Sequence, residues 1–375
     1  MTSAKQHWNW QKPDWPTFIW DAEKLKDLEA RFLQRTGLFQ GALRHMGEDD
    51  KTALTIEVIS AEAYKTSEIE GEFLDRESLQ SSLRRNFGLG GEDRRIPPAE
   101  KGIADMMTAL YRGFDRLLDG ATLFHWHRLV MSARRDVTDV GCYRTHPDPM
   151  QVVSGAYGDT KVHFEAPPSA CMAAEMARFI DWFNDTAPNN VHVLPPLTRA
   201  GIAHLWFVSI HPFEDGNGRI GRAISELALS QALARPTLIA LAYAIETRRT
   251  AYYRALEESN KPLEITDWLL WFADTVLAAQ ARSQNLIDFT IEKTKLLDRL
   301  RARLNERQTK TLLRMFREGP DGFAGGLSAE NYISVTGTSR ATATRDLNDL
   351  VGMGALTRSG KLKGTRYHLN IRTKE

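Results

Sequence analysis

Residues 211–222, HPFEDGNGRIGR, bring several side chains that can handle phosphate into one short segment. The Gly-Asn-Gly run at 216–218 stands between an apolar helical pattern at 197–210 and a second helical pattern that begins near Arg219. A glycine-rich loop that opens a helix presents unpaired backbone N–H groups at the positive end of the helix dipole. Because such a terminus binds phosphate well, the segment predicts an anion site at 216–218.

The polar side chains of the same segment predict the other parts of a reaction at phosphorus. His211 can accept a proton near neutral pH, and Asp215 is a hard oxygen ligand suited to Mg²⁺ shared with phosphates. Asn217 offers a side-chain amide to an oxygen atom. Arg219 and Arg222 lie three residues apart on one helix turn, where their guanidinium groups can hold outer phosphates. The segment therefore contains a base, a metal ligand, an anion cradle and a leaving-group clamp.

The run also matches without departure the signature of Fic-domain proteins, His-Pro-Phe-x-Asp/Glu-Gly-Asn-Gly-Arg-x-x-Arg. The resemblance implies transfer of AMP from ATP to Ser, Thr or Tyr hydroxyls, with ATP as co-substrate and Mg²⁺ as the metal. By position, His211 would be the general base and Asp215 the metal ligand. Glycine at 218 favours AMP transfer, because a lysine there resembles the phosphate-transferring branch of the family. The residues that would hold the phosphates are Asp215, Gly216, Asn217, Gly218, Arg219 and Arg222.

Two further segments resemble parts of the Fic core. The turn-rich stretch 141–168 predicts a hairpin with strands at 150–153 and 161–165. Its second strand resembles the family's flap, where pairing along a strand edge holds the main chain of a target; the flap residues would be Val162, His163, Phe164 and Glu165. Tyr252 and Asn260 resemble the segment that closes the adenine pocket. From the residues alone, an ordinary surface hairpin and core packing of the tyrosine stay open.

Thr66-Ser-Glu-Ile-Glu-Gly71 fits the family's inhibitory pattern, Ser/Thr-x-x-x-Glu-Gly/Asn, in a helical stretch upstream of the core. The resemblance implies that Glu70 reaches Arg222, neutralises the charge that should clamp the γ-phosphate and leaves ATP badly placed for in-line attack. Without the resemblance, Glu70 reads as a solvated helix residue. In some relatives the equivalent glutamate also positions a water that removes AMP.

The remainder of residues 1–302 reads as mainly helical. Residues 1–20 are rich in tryptophan, which predicts packing onto the core. The most apolar stretch, 223–245, contains charged residues and a proline, and the N-terminus has no signal-peptide run, so no membrane segment is predicted. The two cysteines lack metal-type spacing and give no disulfide framework, which makes a reducing cytoplasm the default. Apolar residues recur at helical spacing in 21–46, 51–70, 99–133, 170–186, 249–258 and 264–301.

Residues 303–375 form a basic module with a local charge of +6, against −5 for residues 1–302. Helical patterns followed by a β-prone stretch at 356–369 predict a winged helix, with Ser339 as the N-cap of its recognition helix. Basic residues that could contact DNA phosphates are Arg340, Arg345, Lys361, Lys363 and Arg366. Because such modules also serve protein contacts, DNA binding stays open.

The predicted fold is mainly α: a Fic helical core with a short β-hairpin flap, plus a C-terminal winged-helix (α+β) domain. The predicted domains are an N-terminal region with the inhibitory helix at 1–95, the catalytic core at 96–262, a connecting helical region at 263–302 and the winged helix at 303–375. The predicted activity is that of an autoinhibited protein adenylyltransferase acting on an unidentified target protein and on itself. Two alternatives stay open, AMP removal at the same site and a DNA-binding regulator whose core senses nucleotide; the intact His211 argues against the second, since sensing needs no base. A homodimer is a further expectation from the resemblance.

Overall fold

The computed structural model describes residues 8–44, 46–90, 95–154, 161–317, 319, 323 and 325–371, without the side chain of Lys363. Within these residues the chain is mainly helical, as predicted. The helices are α1 Ala22–Arg44, α2 Glu48–Ile69, α3 Arg76–Asn86, α4 Pro98–Arg112, α5 Gly120–Val130, α6 Met172–Asp185, α7 Pro196–Ile210, α8 Asn217–Ala232, α9 Leu241–Glu246, α10 Arg249–Ser259, α11 Thr266–Leu300, α12 Glu306–Arg317, α13 Ala329–Thr336 and α14 Arg340–Gly352. None of these described helices has the length and apolarity that a bilayer span requires.

Two antiparallel hairpins accompany the helices. Strands β1, Gln151–Ser154, and β2, Lys161–Glu165, form the first hairpin, with a bulge between Val152 and Val153. Strands β3, Leu356–Ser359, and β4, Arg366–Leu369, form the second. Both hairpins lie where the β-prone stretches of the sequence predict them.

The predicted helical stretch at 99–133 divides into α4 and α5. Helix α4 ends at Arg112, and the N–H of Gly113 bonds to Ala109 O. Helix α5 then begins after Asp119, whose carboxylate accepts from Thr122 N at 2.7 Å as an N-cap. The stretch has one continuous helical pattern, but the caps at Gly113 and Asp119 divide it into two helices.

The sequence analysis did not predict α3 and α9. Helix α3 is short and polar, and Asp75 caps it by accepting from Ser78 N at 2.9 Å. Helix α9 has only six residues. A short helix contains too few turns to show a clear periodic pattern. Packing and caps contribute more to its stability than its own sequence pattern does.

The chain folds into two compact units, residues 1–38 with 55–280 and residues 39–54 with 281–375. Helix α7 lies at the centre of the first unit, with 13 of its 15 residues buried. It packs along α8, and the loop 211–216 joins the two helices. The tryptophan-rich start packs on this core as predicted, with Trp15 in an edge contact to Trp206 at 6.2 Å. Two buried helices therefore hold both ends of the loop that carries the chemistry.

The second unit contains α12, α13 and α14 followed by the β3–β4 hairpin. Its core includes the buried carboxylate of Asp346, which accepts from Tyr332 Oη at 2.9 Å and from Arg307 Nε at 2.8 Å. Ser339 caps α14 as predicted, by accepting from Thr342 N at 3.3 Å. The elements stand in the predicted order, while the winged-helix assignment and DNA binding stay predictions. Of the basic residues named for DNA contact, the side chain of Lys363 lies outside the described part.

Candidate active site

His211 ends α7 in a left-handed backbone conformation, with φ 52° and ψ 59°. Such angles are uncommon outside glycine and indicate that the surroundings impose them. The buried Arg144 does so from outside the loop. Its Nε donates to His211 O at 2.8 Å, and its main-chain N–H donates to Pro212 O at 2.9 Å. Arg144 therefore fixes the start of the loop, a role that the sequence analysis did not assign.

The imidazole of His211 is set up to accept a proton. Its Nδ1 lies 3.3 Å from Val208 O, so a proton on Nδ1 leaves Nε2 as the free base. The pKa of His211 is lowered to about 4, mainly by burial and in part by the charge of Arg144, although the Val208 bond and the charges of Glu70 and Asp215 oppose the shift. The ring is therefore neutral at physiological pH, the state that a general base requires.

Gly216 opens α8 in a left-handed conformation, with φ 80°, which glycine adopts without strain. The N–H groups of the first turn then point out of the helix with no intrahelical partner, as at any helix start. The side chain of Asn217 closes the loop, because its Oδ1 accepts from Phe213 N at 2.9 Å and its Nδ2 donates to Phe213 O at 2.8 Å. The sequence analysis expected this amide to face a ligand oxygen, but the loop itself uses it. Gly216 N already donates to Asp215 Oδ1, so the main-chain N–H groups of 217 and 218 remain the donors of the predicted cradle.

A carboxylate oxygen lies against the first turn of α8. A Cβ atom added to Gly218 would stand 2.2 Å from Oε1 of Glu70. The same oxygen accepts from Arg222 Nη2 at 2.8 Å. Thr66 holds the other side of that guanidinium, with its Oγ1 accepting from Arg222 Nε at 2.7 Å. The contact between Glu70 and Arg222 that the resemblance implies is therefore present.

Arg219 has a carboxylate partner of its own. Its Nη1 lies 2.5 Å from Oε2 of Glu72, and its side chain is only 3% exposed. Its Nε is buried and has no hydrogen-bond partner within the described residues. The sequence analysis did not assign Glu72; its acidic type two positions after Glu70 was the available signal. Both arginines that would clamp outer phosphates are thus paired with glutamates from one turn of chain.

Asp215 is paired with an arginine in the segment that follows α5. Its Oδ2 accepts from Arg134 Nη1 at 2.5 Å, and Arg134 also donates two bonds to Asp136. Across the described part of the chain, no group of three or more His, Cys, Asp or Glu side chains could hold a metal ion. A single carboxylate nevertheless fits Mg²⁺, which takes most of its ligands from water and substrate phosphates.

His127 supports the loop from α5. Its ring stacks on Phe213 with centroids 4.1 Å apart. Gly141 N donates to Nδ1 at 2.9 Å, so the proton on Nε2 donates to Asp215 O at 3.1 Å. Burial lowers the pKa of His127 to about 4, which keeps this tautomer neutral. His127 therefore positions the main chain of the loop.

The predicted flap is anchored to other parts of its unit. The carbonyl of His163 accepts from Asn260 Nδ2 at 2.9 Å, and that of Glu165 accepts from Trp10 Nε1 at 2.6 Å. Lys161 Nζ lies 2.9 Å from a carboxylate oxygen of Glu257. The flap also includes Val162, and Phe164 packs edge-on against Trp8. Two carbonyls of β2 therefore already have side-chain donors, and target docking along this strand stays a prediction.

Tyr252 lies in the core, 2% exposed, with its hydroxyl 2.8 Å from His204 Nε2. Burial raises the pKa of its hydroxyl. Asn260 is also buried, and its main-chain oxygen accepts from Asn9 N at 2.8 Å. Tyr253 is more exposed, and its hydroxyl donates to Ile69 O at 3.3 Å, next to Glu70. The roles of Tyr252 and Asn260 at the adenine stay predictions.

Two buried carboxyls lie behind Arg222, and the sequence analysis did not assign them. Glu62 lies on α2, two turns before Glu70, and accepts from Ala242 N at 2.8 and 2.7 Å. Burial raises its pKa to about 8, although Arg222 opposes the shift. Burial also raises the pKa of Glu226, one turn after Arg222, and the charge of Glu62 raises it further. The available signal in the sequence was spacing: Glu62 lies eight residues before Glu70, and Glu226 lies four residues after Arg222.

Comparison with known proteins places these features in a family context. Residues 117–229 match the sequence model of the Fic/DOC family, and residues 8–89 match a model described as a domain of unknown function (DUF4172). The chain is 33% identical over 132 residues to Protein adenylyltransferase Fic of Drosophila grimshawi, which is 34% of this chain and 25% of the relative. It is 35% identical over 86 residues to Protein adenylyltransferase fic-1 of Caenorhabditis briggsae, which is 23% of this chain and 15% of the relative. The chain spans a quarter or less of these two curated relatives.

Solved structures share the fold. A Fic family protein from Desulfovibrio desulfuricans G20 aligns with a TM-score of 0.53 and 20% identity over 94% of this chain and 97% of that one. A Fic domain containing signaling protein from Bacteroides thetaiotaomicron VPI-5482 aligns with a TM-score of 0.50 and 19% identity over 72% of this chain and 96% of that one. At these identities the likeness concerns the fold alone.

Proposed function

Since residues 117–229 are a Fic/DOC-family domain, we propose that this chain transfers AMP from ATP to a Ser, Thr or Tyr hydroxyl of a protein. The observation that carries the proposal is the arrangement of His211, Arg219 and Arg222 around the start of α8. A neutral His211 stands at one end of the loop, and the buried Arg219 and Arg222 stand on the first two turns of the helix, each bonded to a carboxylate. The donors that bind carboxylates also bind phosphates. The names of the curated relatives agree with this activity.

In the proposed reaction the α-phosphate of ATP lies over the main-chain N–H groups of 217 and 218, and Arg219 and Arg222 hold the β- and γ-phosphates. Nε2 of His211 takes the proton from the attacking hydroxyl as its oxygen bonds to the α-phosphorus. The bond from the α-phosphorus to the bridging oxygen breaks, and pyrophosphate leaves with that electron pair. The product is a phosphodiester that joins AMP to the protein, with the proton on His211.

Asp215 would hold Mg²⁺ through one carboxylate oxygen, and the bound ion would neutralise charge on the leaving pyrophosphate. Arg134 lies on that oxygen, so it must move aside for the metal. After moving away from Asp215, Arg134 would stay paired with Asp136, to which it already donates two bonds.

Basal activity is low in this proposal, because Glu70 blocks the site. Its carboxylate neutralises Arg222 and fills the space above Gly218, where phosphate oxygens would otherwise lie. The chain is therefore an autoinhibited enzyme that becomes active when the turn after α2 moves. The target is a second protein, and the chain itself is a further target.

Removal of AMP from a modified protein is a second candidate. The observation in its favour is again Glu70, whose carboxylate at the cradle is placed to hold a water for attack on the phosphodiester. This reaction would use the same arginines, and it would need Glu70 where AMP transfer needs it absent.

ATP labelled at either the α- or the γ-phosphate tests which phosphorus–oxygen bond breaks. The Glu70→Gly variant would be incubated with Mg²⁺ and lysate, with either α-labelled or γ-labelled ATP. AMP transfer predicts label on protein from α-labelled ATP alone. Protein label from the γ-phosphate would replace the proposal by phosphate transfer, and no label from either donor would favour AMP removal.

A further inference from the structure

The turn 70–72 presents two carboxylates to two arginines. Glu70 and Glu72 flank Gly71, which has φ +81°. The turn is closed by Gly71 N donating to Glu68 O and by Glu72 N donating to Ser67 O, both at 3.0 Å. Glu70 then reaches Arg222, and Glu72 reaches Arg219. Any other residue at position 71 would strain this backbone. Glycine therefore allows one short turn to place a carboxylate on each of the two arginines.

The two ion pairs lie in different environments from ordinary surface pairs. Arg219 is 3% exposed and Arg222 is 1% exposed, whereas the glutamate side chains are 29% and 27% exposed. Buried guanidinium groups need their charge balanced, and a carboxylate that leaves must be replaced by another anion. Arg219 also lies 3.9 Å from Asp215, but its short contact is with Glu72, as that of Arg222 is with Glu70. A phosphate that takes either of these short contacts must displace the glutamate that holds it.

We propose that Glu72 is a specificity-determining residue that occupies the pyrophosphate half of the site on Arg219 and makes the inhibited chain discriminate against nucleoside di- and triphosphates relative to monophosphates. The inference rests on the proposed function for the nature of the site. A monophosphate that displaces Glu70 uses the main-chain donors of 217 and 218 and leaves the Arg219–Glu72 pair intact. A diphosphate or pyrophosphate has to break that pair. Glu72 therefore acts separately from Glu70, and loss of Glu70 alone opens only half of the clamp.

Equilibrium binding of AMP, ADP and inorganic pyrophosphate tests the proposal by calorimetry in EDTA, without turnover. The variants are Glu72→Gln, which keeps the shape and removes the charge, and the same change in a Glu70→Gly background. In both backgrounds we expect the affinity for ADP and pyrophosphate to rise about tenfold, within the range usual for coupled sites. We expect the affinity for AMP to change less than about twofold, since one lost partner leaves the main-chain donors unchanged.

Glu68→Gln is the matched control. Glu68 lies on the same turn of chain, but its cation is Lys65, outside the α8 clamp. Its removal should leave all three affinities unchanged. AMP binding also reports that each variant retains a folded site.

Three results would overturn the inference. They are an equal gain for AMP and ADP on Glu72→Gln, unchanged affinities for ADP and pyrophosphate, and the same gain from Glu68→Gln. Because binding requires no chemistry, these outcomes are independent of the proposed activity. A chain that shows the expected affinities and transfers no AMP would contradict the proposed function alone.

Discussion

Nη1 of Arg134 lies 2.5 Å from Oδ2 of Asp215, so the carboxylate proposed to hold a metal ion is paired with a guanidinium. The two residues come from segments 81 positions apart. The side chains are 36% and 33% exposed, which makes this pair weaker than the buried ones on α8. In the proposed reaction Arg134 would thus compete with Mg²⁺ for one oxygen of Asp215.

Arg134→Gln should strengthen metal binding, because Asp215 Oδ2 loses its competing partner. We expect the Mg²⁺ or Mn²⁺ concentration for half-saturation in the presence of ADP to fall about two- to fivefold, the range for a partly exposed ion pair. Mn²⁺ binding followed by electron paramagnetic resonance gives the measurement. Arg135→Gln, at the neighbouring exposed residue, is the control. An unchanged Mn²⁺ affinity in Arg134→Gln would show that the pair does not compete with the metal.

The lowered pKa of His211 predicts an unusual pH profile. The base must be neutral, and its pKa is lowered to about 4 by burial. The single-turnover rate of AMP transfer by Glu70→Gly should therefore not change with the titration of His211 above pH ~6, and it should fall below pH ~5. Loss of Glu70 shifts the fall further down, since its charge raises the pKa of His211. A rate that rises between pH 6 and 7.5, with an apparent pKa near 6.5, would contradict the burial argument.

Glu62 and Glu226 predict how stability depends on pH. A carboxyl whose pKa is raised in the folded state binds its proton more tightly there than in the unfolded chain. The contribution of these two carboxyls to the free energy of unfolding should therefore be largest below pH 4.5 and fall as the pH rises toward the folded pKa of Glu62, about 8. The lowered pKa values of the buried His127, His204 and His211 act in the opposite direction below pH ~6.5, so each variant is compared with wild type at the same pH. Glu226→Gln removes one of the two charges that repel each other at high pH. It should stabilise the protein by at least ~1 kcal/mol at pH 8 relative to wild type.

Urea unfolding at pH 5.5, 7 and 8.5 measures this effect. Glu48→Gln is the control, because this carboxylate is exposed and paired with Lys51 on the same helix turn. Its slope against pH should equal that of the wild type. An equally steep decline for Glu226→Gln would mean that the buried pair does not share a proton over this range.

Local patterns in the sequence predict much of this site. The β-prone stretch 161–165 coincides with β2, and the apolar helical stretch 197–210 lies within α7. In the other unit, the Ser339 cap follows from residue type. The contact of Glu70 with Arg222 follows from the family resemblance of two short motifs. These features depend on residues close together in the chain or on a known pattern.

Long-range pairs were not predictable in the same way. Two ion pairs join distant segments: Glu72 with Arg219 over 147 positions, and Arg134 with Asp215 over 81 positions. The sequence around a charged residue does not indicate which distant residue it will contact. Arg144 likewise reads as a surface cation, although it is buried beneath His211. The side chain of Asn217 shows the converse, because its type suggests a ligand donor while the tight loop uses both of its polar atoms. Tertiary packing decides these roles.

The most direct test of AMP transfer compares four proteins with α-labelled ATP and Mg²⁺: wild type, Glu70→Gly, His211→Ala and the double variant. Label on lysate proteins and on the chain itself would be quantified after denaturing electrophoresis. Glu70→Gly should exceed wild type by at least about tenfold, and adding His211→Ala should lower that rate by about 10²- to 10⁴-fold, the usual contribution of a general base. Equal labelling by wild type and Glu70→Gly would contradict the inhibitory role of Glu70, and labelling that survives His211→Ala would contradict the proposed chemistry.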